Sequence, residues 1–106
     1  MAAYNGSSTF NISRPLSFRD GVNSEAITGA GLTLVASSAT LQIISNATGG
    51  TQDLTLPAAL AGLTFWIKND PASTGNVAVK IASGTTIGNM AAGTVIFVAS
   101  DGTNWY

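Results

Sequence analysis

The sequence predicts an all-β domain, a small antiparallel β-sandwich of jelly-roll-like character entered through an extended N-terminal arm. Three observations point there. Short β-compatible runs recur along the chain, separated by turns of Gly, Asn, Ser and Thr. The runs 63–68 and 77–81 alternate apolar and polar residues with the period of a strand that buries one face. The chain closes on 94–99, then Ser100-Asp101-Gly102-Thr103, then Asn104-Trp105-Tyr106. Asp-Gly between β-formers signals a hairpin through a type I′ turn, because Gly accepts positive φ at little cost.

Residues 1–25 read as the arm. They hold Arg14, Arg19, Asp20 and Glu25, the Arg14-Pro15 break and scattered apolar anchors at Tyr4, Phe10, Ile12, Leu16 and Phe18. Neither a helical nor a sustained strand period runs through them, yet a disordered tail seldom carries so many large apolar residues. An arm docked on a partner is the reading.

Residues 26–106 read as the sandwich. The run 32–36 follows Gly29-Ala30-Gly31, 40–45 follows Ser37-Ser38, and 53–56 follows Asn46-Ala47-Thr48-Gly49-Gly50. The runs 63–68, 77–81, 85–87, 94–99 and 104–106 complete the set. The one helical candidate is a single turn at 57–61, opened by Pro57 and closed by Gly62. Alternation sends Leu63, Phe65 and Ile67 inward and Thr64, Trp66 and Lys68 outward. Val77, Val79 and Ile81 likewise face in, and if these two strands pair, Trp66 lies near Lys68 or Lys80. In 94–99, Val95 and Phe97 take one face while Ile96 and Val98 take the other. A strand apolar on both sides predicts that its outer face is covered, by the arm or by a neighbouring subunit.

Composition supports a covered surface. Charged residues are 8% and hydrophobic residues 45% of the 106-residue chain, whereas about 25% of an ordinary soluble domain is charged. The surface must therefore be built from Ser, Thr, Asn, Gly and Ala, which points to a homo-oligomer or a lattice component. With a net charge of −1 and only Arg14, Arg19, Lys68 and Lys80 as cations, no phosphate-neutralising face can form, so nucleic acid is not an expected partner. The same scarcity argues against anionic lipid, and no apolar run nears the roughly 20 residues of a membrane span. The N-terminus lacks the charged and apolar regions of a secretory signal, so the protein is expected to be made and used without export. Asn5-Gly6-Ser7, Asn11-Ile12-Ser13 and Asn46-Ala47-Thr48 match the glycosylation pattern but read as incidental in so polar a chain.

The residue types needed for most chemistry are missing. There is no His and no Cys, so the commonest general base, the common nucleophile pairs and the usual transition-metal ligands are lacking. Asp20, Glu25, Asp53, Asp70 and Asp101 are isolated in sequence and read as turn or strand-edge residues. Gly49-Gly50 and Gly29-Ala30-Gly31 are turn glycines, since no Lys-Ser/Thr pair follows them as in a phosphate loop. A calcium loop needs several oxygens, and Asn69-Asp70 and 101–104 offer one carboxylate each. No enzyme, metal or cofactor is expected. Trp66, Trp105 and Tyr106 have the area and polar handle of a sugar or protein platform, with packing as the simpler role.

The segment 53–106 resembles a β-module that recurs in virion proteins of tailed bacteriophages. The likeness is carried by Leu54-Thr55-Leu56-Pro57, Gly62-Leu63-Thr64-Phe65-Trp66-Ile67-Lys68-Asn69, Val77-Ala78-Val79-Lys80-Ile81 and Gly84-Thr85-Thr86-Ile87. Gly93-Thr94-Val95-Ile96-Phe97-Val98-Ala99 and Ser100-Asp101-Gly102-Thr103-Asn104-Trp105 complete it. The resemblance implies a head decoration (cement) protein or a tail fibre or spike component, commonly a trimer, with no catalytic residue. A chain of one small domain with an anchoring arm fits decoration better than a long fibre. The expected function is therefore a structural one: an oligomer on the capsid exterior, assembled in the bacterial host cytoplasm, that bridges major capsid proteins. Phe10, Arg14, Phe18 and Arg19 are the expected capsid contacts. Trp66, Ile96, Val98, Trp105 and Tyr106 are the expected subunit interface. The alternative is a receptor- or carbohydrate-binding module of a tail fibre.

Overall fold

The computed structural model describes residues 19–106. The expected arm residues Tyr4, Phe10, Ile12, Arg14, Leu16 and Phe18 lie outside this range. Among the described residues eight strands follow one another: β1 Val22–Ala26, β2 Leu32–Thr33, β3 Leu41–Ser45, β4 Gln52–Thr55, β5 Thr64–Asn69, β6 Val77–Lys80, β7 Thr86–Met90 and β8 Val95–Ala99. They form two four-stranded sheets, sheet I in the order β1-β3-β5-β8 and sheet II in the order β2-β4-β6-β7. The all-β sandwich is the fold.

The strand directions correct the antiparallel, jelly-roll-like expectation. Four of the six pairings are parallel (β1 with β3, β3 with β5, β2 with β4, β4 with β6), and only β5 with β8 and β6 with β7 are antiparallel. The cause is the route of the chain. From β1 to β6 each strand lies in the sheet opposite its predecessor, so sheet neighbours are separated by one strand of the other sheet and run the same way. The crossover that parallel strands require is thus supplied by the facing sheet, as in a solenoid, with no helix. At β7 the chain folds back on β6 and then crosses to lie antiparallel against β5, which closes one side of the stack. Strands β5 and β6 do not pair, so Trp66 has no access to Lys80 through a shared ladder.

Period-two alternation reports which side chains are buried and carries no record of strand direction. The inward set is accordingly as expected, with Leu63, Phe65, Ile67, Val77 and Val79 all buried. Ile44, Leu54, Leu56, Met90, Val98 and Trp105 join them between the sheets. The corners of the coil are tied by asparagines. Asn46 Nδ2 donates to Gly50 O (2.8 Å) and Asn76 O (2.7 Å), and its Oδ1 accepts from the Thr48 amide (2.9 Å) and hydroxyl (2.6 Å). Asn69 Nδ2 donates to Gly75 O (3.1 Å) and Met90 O (2.9 Å). Gly75 is needed there because a Cβ would run into Gly50 O and the Asn46 amide.

Three further expectations are corrected. The boundary at residue 25 cuts through β1, whose residues pair from Val22↔Leu41 to Ala26↔Ser45 and so belong to the sandwich. This strand escapes pattern reading because an edge strand with mostly exposed side chains shows no apolar period. No helical turn forms at 57–61: Leu63 N bonds Leu60 O in a tight turn, and Pro57 O is taken by Trp105 Nε1 (3.0 Å). The terminal hairpin exists through the antiparallel bridge Ser100↔Trp105, but its loop is four residues and only Gly102 has positive φ (99°). The Asp101 carboxylate organises that loop by accepting from the amides of Thr103 and Asn104, both at 2.8 Å.

Candidate assembly surface

The outer faces of the two sheets differ in chemistry. In sheet I the register aligns Val22, Leu41, Trp66 and Phe97 in one row across all four strands, and Ser24, Ile43, Lys68 and Val95 in the next. Inward neighbours such as Ile44, Phe65, Ile67 and Val98 are buried, so by alternation both rows face outward. The large residues are open: Trp66 is 41% exposed, Phe97 46%, Val95 51% and Val22 54%. A shallow groove of 360 Å³ runs among Val22, Leu41, Ile43, Trp66, Lys68 and Val95.

The register explains why Trp66 and Phe97 meet. Ser100 N bonds Leu63 O and Asn69 N bonds Thr94 O, so every second pair along β5 and β8 is hydrogen-bonded and Trp66↔Phe97 falls on a non-bonded pair. Side chains approach more closely there, and the two rings lie with centroids 4.6 Å apart at 45°. Lys68 is the sole charge in the two rows. Among the described residues it makes no ion pair.

Sheet II presents Thr33, Thr55, Lys80 and Thr86 in one outward row and Asp53 and Asn89 in the next, with Ala78 buried between them. This face is polar, and its lysine is neutralised within the chain: Lys80 Nζ lies 3.0 Å from Asp53 Oδ2. One face is made for water and the other is not.

The expected site residues are distributed unevenly over this geometry. Trp66 lies at the centre of the apolar face. Ile96 and Val98 do not, since they point toward the core, where Val98 is fully buried and Ile96 packs against the cluster. The outward residues of β8 are Val95 and Phe97. Trp105 is also core: its ring centroid is 6.0 Å from that of Phe65, and its indole N–H is satisfied by Pro57 O. Tyr106 remains exposed at 70% while its backbone exchanges two bonds with Ala99 (2.9 and 3.0 Å). Its hydroxyl meets Asp101 Oδ2 at 3.3 Å. Arg19 is held by its own domain: Nε donates to Ser38 O (2.9 Å), Nη2 to Thr64 O (3.4 Å), and the guanidinium lies 5.3 Å from the Phe65 centroid. Phe10, Arg14 and Phe18 lie outside the described residues.

Val22, Leu41, Ile43, Val95 and Phe97 are the surface residues that pattern reading missed. A signal existed for one strand only. Trp66 faces outward by alternation, so whichever β8 residues pair across from Thr64, Trp66 and Lys68 must also face outward, but that requires the register. Asp101, in the terminal loop, has its carboxyl pKa held below the ordinary 3.8 by the amides of Asn104 and Thr103, with Tyr106 OH adding to them.

Among the described residues no three His, Cys, Asp or Glu side chains cluster as metal ligands, and no helix is long and apolar enough to cross a membrane. No protein-family model matches the chain, nor does a curated protein or a solved structure. The fold and this surface define the class: a small two-sheet β domain with one exposed apolar sheet face.

Proposed function

We propose that the chain is a non-enzymatic structural protein of a tailed-phage virion, a homo-oligomer on the capsid exterior that bridges neighbouring major capsid proteins. The resemblance carried by 53–106 implies a trimer, the common form of such proteins. The single observation that supports a structural role most is the apolar row Val22-Leu41-Trp66-Phe97 on an outer sheet face, in a chain that is 8% charged. A surface of that kind is stable in water when another protein covers it. The action is mechanical. A protein that binds the assembled shell better than free subunits stabilises the shell by mass action. It needs no cofactor, no nucleic acid and no membrane.

Virions stripped of this chain are expected to lose resistance to heat and chelators and to regain it when the purified protein is added back. Full resistance without the chain overturns the reading. Copy number separates shell from tail, because a shell protein is present in hundreds of copies and a tail component in tens at most. The exposed Trp66 and Phe97 rings favour one second reading, a carbohydrate-binding module of a tail fibre. Their 45° tilt gives no flat platform, and Lys68 is the one charged group beside them. A glycan array with Trp66→Ala as control distinguishes the two, since decoration requires no glycan binding.

A further inference from the structure

We infer that the outer face of sheet I is covered by the same face of a second copy of this chain, with Lys68 of each copy meeting Asp70 of the other. The contact is two-fold and pairs copies, whereas the resemblance implies a trimer; the inference rests on the homo-oligomer of the reading above and not on its trimer, and is tested on purified protein, without a virion.

Two observations single out a second copy as the occupant. The first is area. Trp66, Phe97, Val95 and Val22 are each about half exposed, and residues of their size have full areas of roughly 150–250 Å². With Leu41, Ile43 and the Lys68 stem added, the face presents on the order of 500 Å². Two such faces together bury about 1,000 Å², the threshold that a biological interface clears. Flat sheet faces also pack on one another at about 10 Å with interdigitating side chains, as the two sheets inside this domain do.

The second observation is charge. Lys80, on the polar face, is neutralised by Asp53 within the chain, whereas Lys68, on the apolar face, has no carboxylate partner among the described residues. A lone ammonium in an apolar contact needs a carboxylate from the partner. Asp70 follows directly on the last residue of β5, Asn69, and is partly exposed. One of its oxygens, Oδ1, accepts from Ala72 N at 2.8 Å, and Asp70 forms no ion pair among the described residues. Lys68 and Asp70 thus lie two residues apart at the end of β5 and the turn that follows it. A symmetric contact that brings Lys68 to the other copy's carboxylate brings the reciprocal pair together as well.

Native mass spectrometry and sedimentation equilibrium of the full chain test this. The chain is expected to self-associate at micromolar concentration, and a monomer throughout the measurable range overturns the inference. Trp66→Glu and Phe97→Glu are expected to weaken association at least 30-fold with the β-sheet circular dichroism retained. An oligomer that survives both substitutions overturns it. Lys68→Asp is expected to weaken association, and Lys68→Asp with Asp70→Lys to restore it; failure of that rescue overturns the pairing. A second readout avoids substitution altogether. Trp66 is exposed in the single chain and Trp105 is buried, so tryptophan emission of the unaltered protein should shift red on dilution as Trp66 is uncovered. Emission that does not change while the oligomer dissociates removes Trp66 from the interface.

Discussion

The two outer faces of the sandwich are built on the same plan and differ in what they ask of their surroundings. Each is a four-stranded sheet, three strands parallel and the last antiparallel, with alternate residues turned outward. On sheet II the outward residues are Thr33, Asp53, Thr55, Lys80, Thr86 and Asn89, with Ala78 buried between Asp53 and Asn89, and the two charges pair. On sheet I they include two aromatics and four aliphatics around one lysine that has no partner within the described chain. Fold therefore does not dictate which outer face is apolar. The choice of residue at the outward positions does, and here it has been made differently on two faces of one domain.

Substitutions can break this comparison at decreasing strength. Between the faces lies Phe65, fully buried against Trp105. Phe65→Ala is expected to cost about 3–5 kcal/mol by transfer and cavity terms, read as a large fall in the denaturant midpoint, and it should loosen both faces equally. Equal charges placed on the two faces sharpen the contrast. Phe97→Glu on sheet I is expected to weaken association by about 2 kcal/mol or more, while Thr86→Glu on the exposed edge of sheet II should stay within about 0.5 kcal/mol; sedimentation of both variants decides. The Lys80–Asp53 pair is half-exposed, so Asp53→Ala is expected to cost at most about 1 kcal/mol in thermal unfolding, and less at high salt.

The smallest effect is at the terminal loop. Asp101 has a folded pKa below its unfolded value because its charged form accepts the Asn104 and Thr103 amides. The unfolded chain then binds the proton more readily, so the loop's contribution is complete above the ordinary carboxyl pKa and is lost as pH falls through the lowered one. Below about pH 4 the wild type should therefore lose stability relative to Asp101→Asn, and the two curves should run parallel above it.

Much of the fold was legible in the residues, and the limits fall at identifiable places. Burial of Leu63, Phe65, Ile67, Val77 and Val79 and exposure of Trp66 follow from alternation, which is local. The face of β8 was not legible, because Val95, Ile96, Phe97 and Val98 are apolar at every position and alternation has nothing to distinguish. The roles given to Val98 and Trp105 failed for a related reason. An aromatic near a terminus can close a core as well as join two subunits, and here Phe65 and Pro57 O receive the Trp105 ring. Arg19 read as a capsid contact, and its side chain is held by Ser38 O and Thr64 O, partners distant in sequence.

By itself the sequence determined an all-β domain with a core drawn from its alternating runs, poor in charge and without His or Cys. Those properties depend on residue type and short spacing, which any stretch of chain displays. Strand direction, register and the alignment of Val22, Leu41, Trp66 and Phe97 into one row were decided only by tertiary structure. They depend on which strands lie side by side. That is set by how the whole chain crosses between two sheets, and no local pattern records it.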